Sequence, residues 1–324
     1  MQGKAELITE EQVKERLLEK DKILILTHKS PDGDTLGTGT ALWRILQSLG
    51  KTARVENSDV IPAKYAYLFD GLVATDFTPE YIIAVDVADP KLLGNKLSVY
   101  ADRVDLCIDH HPSNLHYATE LLCRPADGAA ALTLYRVLQL MDVPVTPAIA
   151  TSLYTGMATD TGCFRYSNTT SELMRAAADL IDAGADHADI NVRMFETKSL
   201  AYYRLLQTVL AGLRMYCNGQ VAVFKVTQDM MAQVGATEDM LDAIAPMSRQ
   251  IAGVKAGITM KQTADGTYKF SLRTYEPLDA SEMGRLLGGG GHARAAGTGV
   301  VTDEEAALFK LLEWTAEQLH CEVS

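Results

Sequence analysis

Ile23-Leu24-Ile25-Leu26-Thr27-His28-Lys29-Ser30-Pro31-Asp32-Gly33-Asp34 is a short apolar run that ends in one imidazole and two carboxylates. An apolar run of about five residues reads as a strand buried on both faces, the kind found in parallel sheets. Two further runs end in the same way. Tyr81-Ile82-Ile83-Ala84-Val85 stops at Asp86, and Val104-Asp105-Leu106-Cys107-Ile108 stops at Asp109-His110-His111. In an open parallel sheet, ligands bind beyond the carboxyl ends of the strands. The three runs therefore gather acids and imidazoles at one sheet edge. Crowded carboxylates repel one another, so such a cluster points to a cation between them.

The flanking sequence supplies the rest of the sheet. Thr9-Glu10-Glu11-Gln12 has the pattern of a capping box opening a helix to about residue 20. A helix over 37–49 is closed by Gly50. Further strands are predicted at 52–56, 81–87, 104–108 and 118–122, with helices at 129–141, at 147–159 and within 172–213. Alternating strands and helices imply a mostly parallel sheet with covered faces. After about residue 215 the pattern changes. Gln220-Val221-Ala222-Val223-Phe224-Lys225-Val226 reads as a strand, 254–261 and 268–273 as a hairpin around Ala264-Asp265-Gly266, and 303–320 as a final helix. The expectation is an α/β protein with an N-terminal domain over 1–195, a connecting helix or linker over 196–215 and a smaller C-terminal α/β domain with a mixed sheet over 216–324. The active site is expected in the cleft between the domains.

The length of 324 residues fits two domains. No apolar stretch reaches the ~18 residues needed to cross a bilayer. The N-terminus, Met1-Gln2-Gly3-Lys4-Ala5-Glu6, lacks the apolar region of a signal peptide. The net charge of −12 argues against a general binder of long nucleic acid, duplex included, which would need basic patches. A small anionic substrate stays compatible with that charge, because bound divalent metals reverse the local field. The five cysteines are odd in number and have no close pairs, which fits a reduced, cytoplasmic protein better than a zinc cage. A homodimer is compatible with the chain, although no segment announces one.

Each chemical segment also has an ordinary reading. Asp32 and Asp34, two apart, would point the same way in extended backbone, and with His28 they make a donor set suited to manganese. Taken alone, the same residues read as an Asp-rich turn after a strand. Asp86 reads as a metal ligand or as a helix cap. Adjacent His110 and His111 cannot both turn to one side of an extended chain. One would bind metal while the other faces substrate, with Asp109 orienting a ring; the alternative is a surface pair. Asp160, after a helix of small residues, reads alone as a cap. Gly288-Gly289-Gly290-Gly291-His292 reads as an anion-binding nest or as a flexible loop. Arg273 ends a strand and has the fork to grip a phosphate or carboxylate, or is simply solvated; Arg294, just past His292, is a further candidate for an anion contact. His116, His187 and His320 fall outside these segments.

The order His-x-x-x-Asp-x-Asp, Asp, Asp-His-His, Asp, Gly-Gly-Gly-His resembles the DHH phosphoesterase superfamily, in its nano-RNase and pAp-phosphatase (NrnA-like) branch, from Leu26 to Gly297. Thr38 departs from the usual serine but keeps a hydroxyl. The resemblance implies two manganese ions, with magnesium or cobalt as substitutes. His28, Asp32 and Asp86 would hold one. Asp34, Asp86, His110 and Asp160 would hold the other, with Asp86 bridging. Asp109 would support the site from behind and His111 would face the scissile phosphate. Arg273 and the residues from Gly288 to His292 would bind the substrate's phosphate or sugar end. The implied activity is hydrolysis of short RNA and linear dinucleotides to mononucleotides, and of 3′-phosphoadenosine 5′-phosphate (pAp) to AMP. Relatives keep two alternatives open, a cyclic-dinucleotide phosphodiesterase and an inorganic pyrophosphatase, of which Ser248-Arg249-Gln250 is a faint echo. A nucleotide sensor without turnover would have lost a ligand, whereas all six are present.

Overall fold

The computed structural model describes residues 5–323. Residues 1–4, part of the N-terminus read above as lacking a leader, lie outside them. The chain divides into two compact units between Thr197 and Lys198.

The first unit contains β1 (Glu6–Leu7), α1 (Glu10–Glu19), β2 (Ile23–Leu26), α2 (Gly33–Ser48), β3 (Ala53–Glu56), β4 (Tyr81–Val85), α3 (Gly94–Leu97), β5 (Leu106–Asp109), β6 (Glu120–Cys123), α4 (Ala130–Gln139), α5 (Pro147–Asp160), α6 (Ser171–Asp182) and α7 (His187–Asn191). Its six strands lie in the order β1-β6-β5-β4-β2-β3, every pair parallel. Strand periodicity explains why the three apolar runs are unbroken. Ile23, Ile25, Ile83, Val85 and Ile108 face one core, while Leu24, Leu26, Ile82, Ala84 and Cys107 face the other. Each fully buried aliphatic side chain contributes about 1.5–3 kcal/mol. From β2 the chain goes to β3 on one side and then crosses to β4 on the other. The strand order thus reverses between β2 and β4, and beyond their carboxyl ends lies the crevice such sheets use for ligands.

Two local expectations change. The capping box at Thr9 and Gln12 forms as read, but α2 starts at Gly33, not at 37. Asp32 is its N-cap, accepting the Asp34 and Thr35 N–H groups at 3.0 and 3.2 Å. Asp34 therefore sits in the first helical turn, and the two acids are not neighbours on an extended strand. Gly33 has a packing role at this start. A Cβ there would lie 2.4 Å from Thr159 Oγ1 of α5, so the glycine lets the two helices meet.

The second unit contains α8 (Leu200–Ala211), β7 (Arg214–Tyr216), β8 (Val221–Val226), α9 (Gln228–Val234), α10 (Leu241–Ile244), β9 (Ala256–Gln262), β10 (Tyr268–Thr274), α11 (Ala280–Arg285), β11 (Gly290–His292), β12 (Ala295–Gly297) and α12 (Glu304–Leu319). Its mixed sheet has the order β11-β12-β10-β9-β8-β7, with β8 parallel to β9 and the other pairs antiparallel. Leu308, Leu311 and Leu312 of α12 pack in one core with Ile258 and Phe270. Residues 200–211, within the expected connecting helix or linker, form helix α8, and its Tyr202, Leu205 and Val209 join Phe224 in a core of this unit.

Candidate metal centre and substrate face

The strand ends deliver their acids through a few fixed turns. Beyond β4 the chain turns at Asp86 with φ +58°, which aims a nearly buried carboxylate across the sheet edge. The Thr35 hydroxyl donates to Val85 O at 3.0 Å and accepts the His28 N–H at 3.3 Å, tying the ends of β2 and β4 together. Asn57 braces the same turn by donating to Thr27 Oγ1 and His28 O at 2.8 and 2.7 Å. Asp34 accepts the Ala130 and Ala131 N–H groups at 2.6 and 3.0 Å and so caps α4 from another helix. The hydroxyl that Thr38 keeps donates to Asp34 at 3.2 Å.

The imidazoles are held by their Nδ1–H groups. That of His28 donates to Lys29 O at 2.8 Å, and that of His110 to Asp127 O at 3.0 Å. Both Nε2 atoms then face carboxylates. His28 Nε2 is 3.5 Å from Asp32 and 3.6 Å from Asp86. His110 Nε2 is 3.5 Å from Asp86, 3.6 Å from Asp160 and 3.8 Å from Asp34. These gaps exceed a hydrogen bond. They approach the roughly 3.0–3.4 Å between donors that share an ion at about 2.1 Å. Three donor sets result, each with its atoms within 4.8 Å: His28, Asp32 and Asp86; Asp34, His110 and Asp160; and Asp86, His110 and His111. The buried Asp86 Oδ1 has no hydrogen-bond partner. An orphaned carboxylate oxygen ringed by imidazole nitrogens fits a cation site.

Charge crowding shows in the protonation of the cluster. Burial and then the Asp86 charge push the Asp34 carboxyl well up, despite the hydrogen bonds it accepts. Burial, opposed by His110 and reinforced by Asp86, raises Asp160 to about 6. Burial alone would lower both histidines. Asp32 and Asp86 outweigh it for His28, held at about 11, and Asp86, Asp34 and Asp160 outweigh it for His110, held at about 10. This crowding of like charge is what a divalent cation held by the cluster would relieve.

His110 and His111 differ from the expectation. Their ring centroids are 4.5 Å apart, and both approach Asp86 Oδ1, at 3.5 and 3.4 Å. The strand ends at Asp109, so the pair sits in a turn and the alternation of extended backbone does not apply. Asp109 is fully buried. Its Oδ1 accepts the His111 Nδ1–H at 2.8 Å and its Oδ2 accepts the Asn114 amide at 2.6 Å. Sequence reasoning missed Thr35, Asn57, Asn114 and Asp127. Their only signal was a polar residue next to an apolar run or a ligand. It also missed the left-handed stretch after Asp160, where Gly162, Cys163 and Phe164 have φ of 58°, 59° and 59°. There the Arg165 Nε–H donates to Gly162 O at 2.6 Å.

In the second unit the four-glycine segment is neither a nest nor a loose loop. Gly288 and Gly289 spend their N–H groups on Arg285 O and Gly284 O, and Gly290–His292 is strand β11. A Cβ on Gly289 would stand 2.1 Å from Gly297 O, which excludes a side chain. Register brings His292 and Arg273 to one face. His292 pairs with Ala295, Ala295 with Arg273, and Arg273 with Gly257. Paired residues project to the same side, and two strand spacings separate His292 from Arg273 by about 10 Å. A Cβ on Gly257 would meet Ser248 Oγ at 2.3 Å and Arg249 N at 2.6 Å. The 3₁₀ segment Ala245–Gln250 therefore lies on that same face and adds Arg249 to it. Arg294 donates to Leu278 O at 2.7 Å and pairs with Glu276 at 2.9 Å.

A parallel α/β unit with acids and imidazoles at its switch point, followed by a mixed-sheet unit with a basic face, defines a two-domain phosphoesterase class. The DHH family, N-terminal domain, matches residues 22–157, and the DHHA1 domain matches residues 218–318. The bifunctional oligoribonuclease and PAP phosphatase NrnA of Thermus thermophilus is 30% identical over 92% of this chain and 90% of its own. The chain belongs to the DHH family of phosphoesterases, with a C-terminal DHHA1 domain. The cyclic-di-AMP phosphodiesterase GdpP of Geobacillus thermodenitrificans is 26% identical over 94% of this chain but only 47% of its own length. Among solved structures, an exopolyphosphatase-related protein of Bacteroides fragilis shares the fold, with a TM-score of 0.85 and 22% identity over 95% of each chain. No helix among the described residues is long and apolar enough to cross a membrane.

Proposed function

We propose that this chain hydrolyses short oligoribonucleotides and linear dinucleotides to mononucleotides and converts pAp to AMP, in the cytoplasm. The observation that carries the reading is the buried, unpartnered Asp86 Oδ1 with His110 and His111 nitrogens 3.5 and 3.4 Å away, and His28 3.6 Å from the other oxygen. Two manganese ions suit this donor set, one with His28, Asp32 and Asp86, the other with Asp34, Asp86, His110 and Asp160. Bound there, divalent cations supply Lewis-acid polarisation of the phosphoryl group and make water a nucleophile near neutral pH. The chain's residues do the rest. Asp109 fixes His111 by its Nδ1–H, so that the ring meets the leaving oxygen and donates a proton or stabilises its charge. Arg273 and His292 hold the phosphate or sugar end, on strands that the close-packed Gly288–Gly291 segment brings together. Support for the substrates comes from the Thermus relative, matched along nearly its whole length.

The test is a panel of pAp, a linear dinucleotide, a cyclic dinucleotide and pyrophosphate, with and without manganese. The expected products are AMP and mononucleotides from the first two. Asp86→Asn should lower turnover of both at least about 10³-fold, roughly 4 kcal/mol in the barrier, with the circular dichroism unchanged. Cleavage of pyrophosphate alone, or full activity in the variant, would overturn the reading.

A further inference from the structure

The basic face of the second unit carries one aromatic ring that the proposed chemistry does not use. Tyr275 follows the last residue of β10, and its N–H donates to Lys255 O at 2.8 Å, which prolongs the strand conformation past Thr274. Alternation then puts Tyr275 on the same face as Arg273, with Thr274 turned to the other. Thr274 does turn away, its hydroxyl donating to Ala293 O at 2.8 Å. Tyr275 nevertheless stays 46% exposed as a residue.

Arg249 braces it. The guanidinium carbon lies 4.5 Å from the Tyr275 ring centroid, and an Nη1–H group donates to Thr274 O at 3.2 Å. Arg249 Nε is buried and makes no hydrogen bond. An arginine partly dehydrated and stacked on an exposed ring is a costly arrangement for a bare surface, where such a pair contributes little. It suits a site in which the ring gains a second stacking partner. In a chain of net charge −12, Arg249 and Arg273 gather positive charge on one small face that also carries His292, with Gly257 and Ala295 as its floor.

We infer that Tyr275, backed by Arg249, is the stacking platform for a nucleobase of the substrate whose phosphate or sugar end the Arg273–His292 face holds. The inference rests on the nucleotide reading above and deepens it: the second unit selects by base as well as by phosphate. A planar ring accepts any base, because every base has a π face, so the preference is for nucleotides as a class, not for one sequence. Arg249 adds a cation behind the ring, and its charge favours the electron-rich side of the stack.

The test uses the full chain, a dinucleotide carrying 2-aminopurine, and the same compound lacking its bases. With manganese present, Tyr275→Ala should raise KM for the dinucleotide about tenfold to a hundredfold. It should leave kcat within about twofold and KM for the base-free compound unchanged. Tyr275→Phe should behave as wild type, and Tyr275→Leu, which keeps bulk without a planar ring, should behave as Tyr275→Ala. An unchanged KM, or an equal rise for the base-free compound, would overturn the platform. If wild type cleaves neither compound, the phosphoesterase reading fails by itself, and the fluorescence titration still decides this one. Quenching of 2-aminopurine by wild type and its loss in Tyr275→Ala support the platform. Equal quenching in both, or none in either, refutes it.

Discussion

Asp86 occupies a left-handed backbone conformation that costs a non-glycine residue roughly 1–3 kcal/mol. Aspartate tolerates it better than most residues. The turn brings one carboxylate within 3.4–3.6 Å of three imidazoles. The apolar run before Asp86 made its position at a strand end legible, whereas its backbone twist and its lack of a partner were not. The same holds for Asp109. Its buried place and its hold on His111 depend on Asn114, which sits in an unremarked loop. Asn114→Ala frees one oxygen of Asp109 and loosens His111. The expected outcome is a fall in kcat on pAp of about 10–100-fold, with KM within about twofold. Steady-state kinetics measure it, and an unaltered kcat would show that His111 needs no such anchoring.

The strands were readable as elements because burial on both faces leaves no polar alternation to confuse the period. The short strands were not. Glu6–Leu7 pairs with β6, and Gly290–His292 and Ala295–Gly297 pair with each other, without any apolar run to mark them. Glu120 of β6 illustrates how side chains lock elements that the sequence lists far apart. Arg16 of α1 grips it through Nε at 3.0 Å and Nη2 at 2.7 Å, and the Tyr81 hydroxyl of β4 donates at 3.2 Å. The Arg16 hydrogen bonds hold the Glu120 carboxyl below its ordinary value. A depressed folded pKa gives stability that is present above the unfolded value of about 4.3 and is lost as pH falls through the folded value. Glu120→Gln should therefore destabilise the protein by about 1–2 kcal/mol at pH 7. The gap from wild type should narrow as the pH falls below about 4 and vanish once it is below the folded value. Urea denaturation at both pH values reads it, and a gap independent of pH would assign the loss to packing.

The whole molecule is two units with separate cores, and all six candidate ligands belong to the first. Ligand binding to the folded state stabilises by mass action, about 2.7 kcal/mol at a hundred times Kd. Manganese should raise hydrogen-exchange protection in β2, β4 and β5 and leave the core of β9, β10 and α12 nearly unchanged. Asp86→Asn should abolish the effect. Equal protection of both cores, or none, would count against a metal centre confined to the first unit.

The sequence by itself determined the parallel α/β unit, the mixed-sheet unit after it and the residues at each strand end. Hydrophobic period and strand-end chemistry are local, and local patterns survive in one dimension. Tertiary structure alone decided that Asp34 caps α4, that both histidines reach Asp86, and that Arg249 and Tyr275 join Arg273 and His292. Each of these is set by register, by helix approach or by a backbone twist. Those are relations between segments distant along the chain, and no single stretch of sequence contains them.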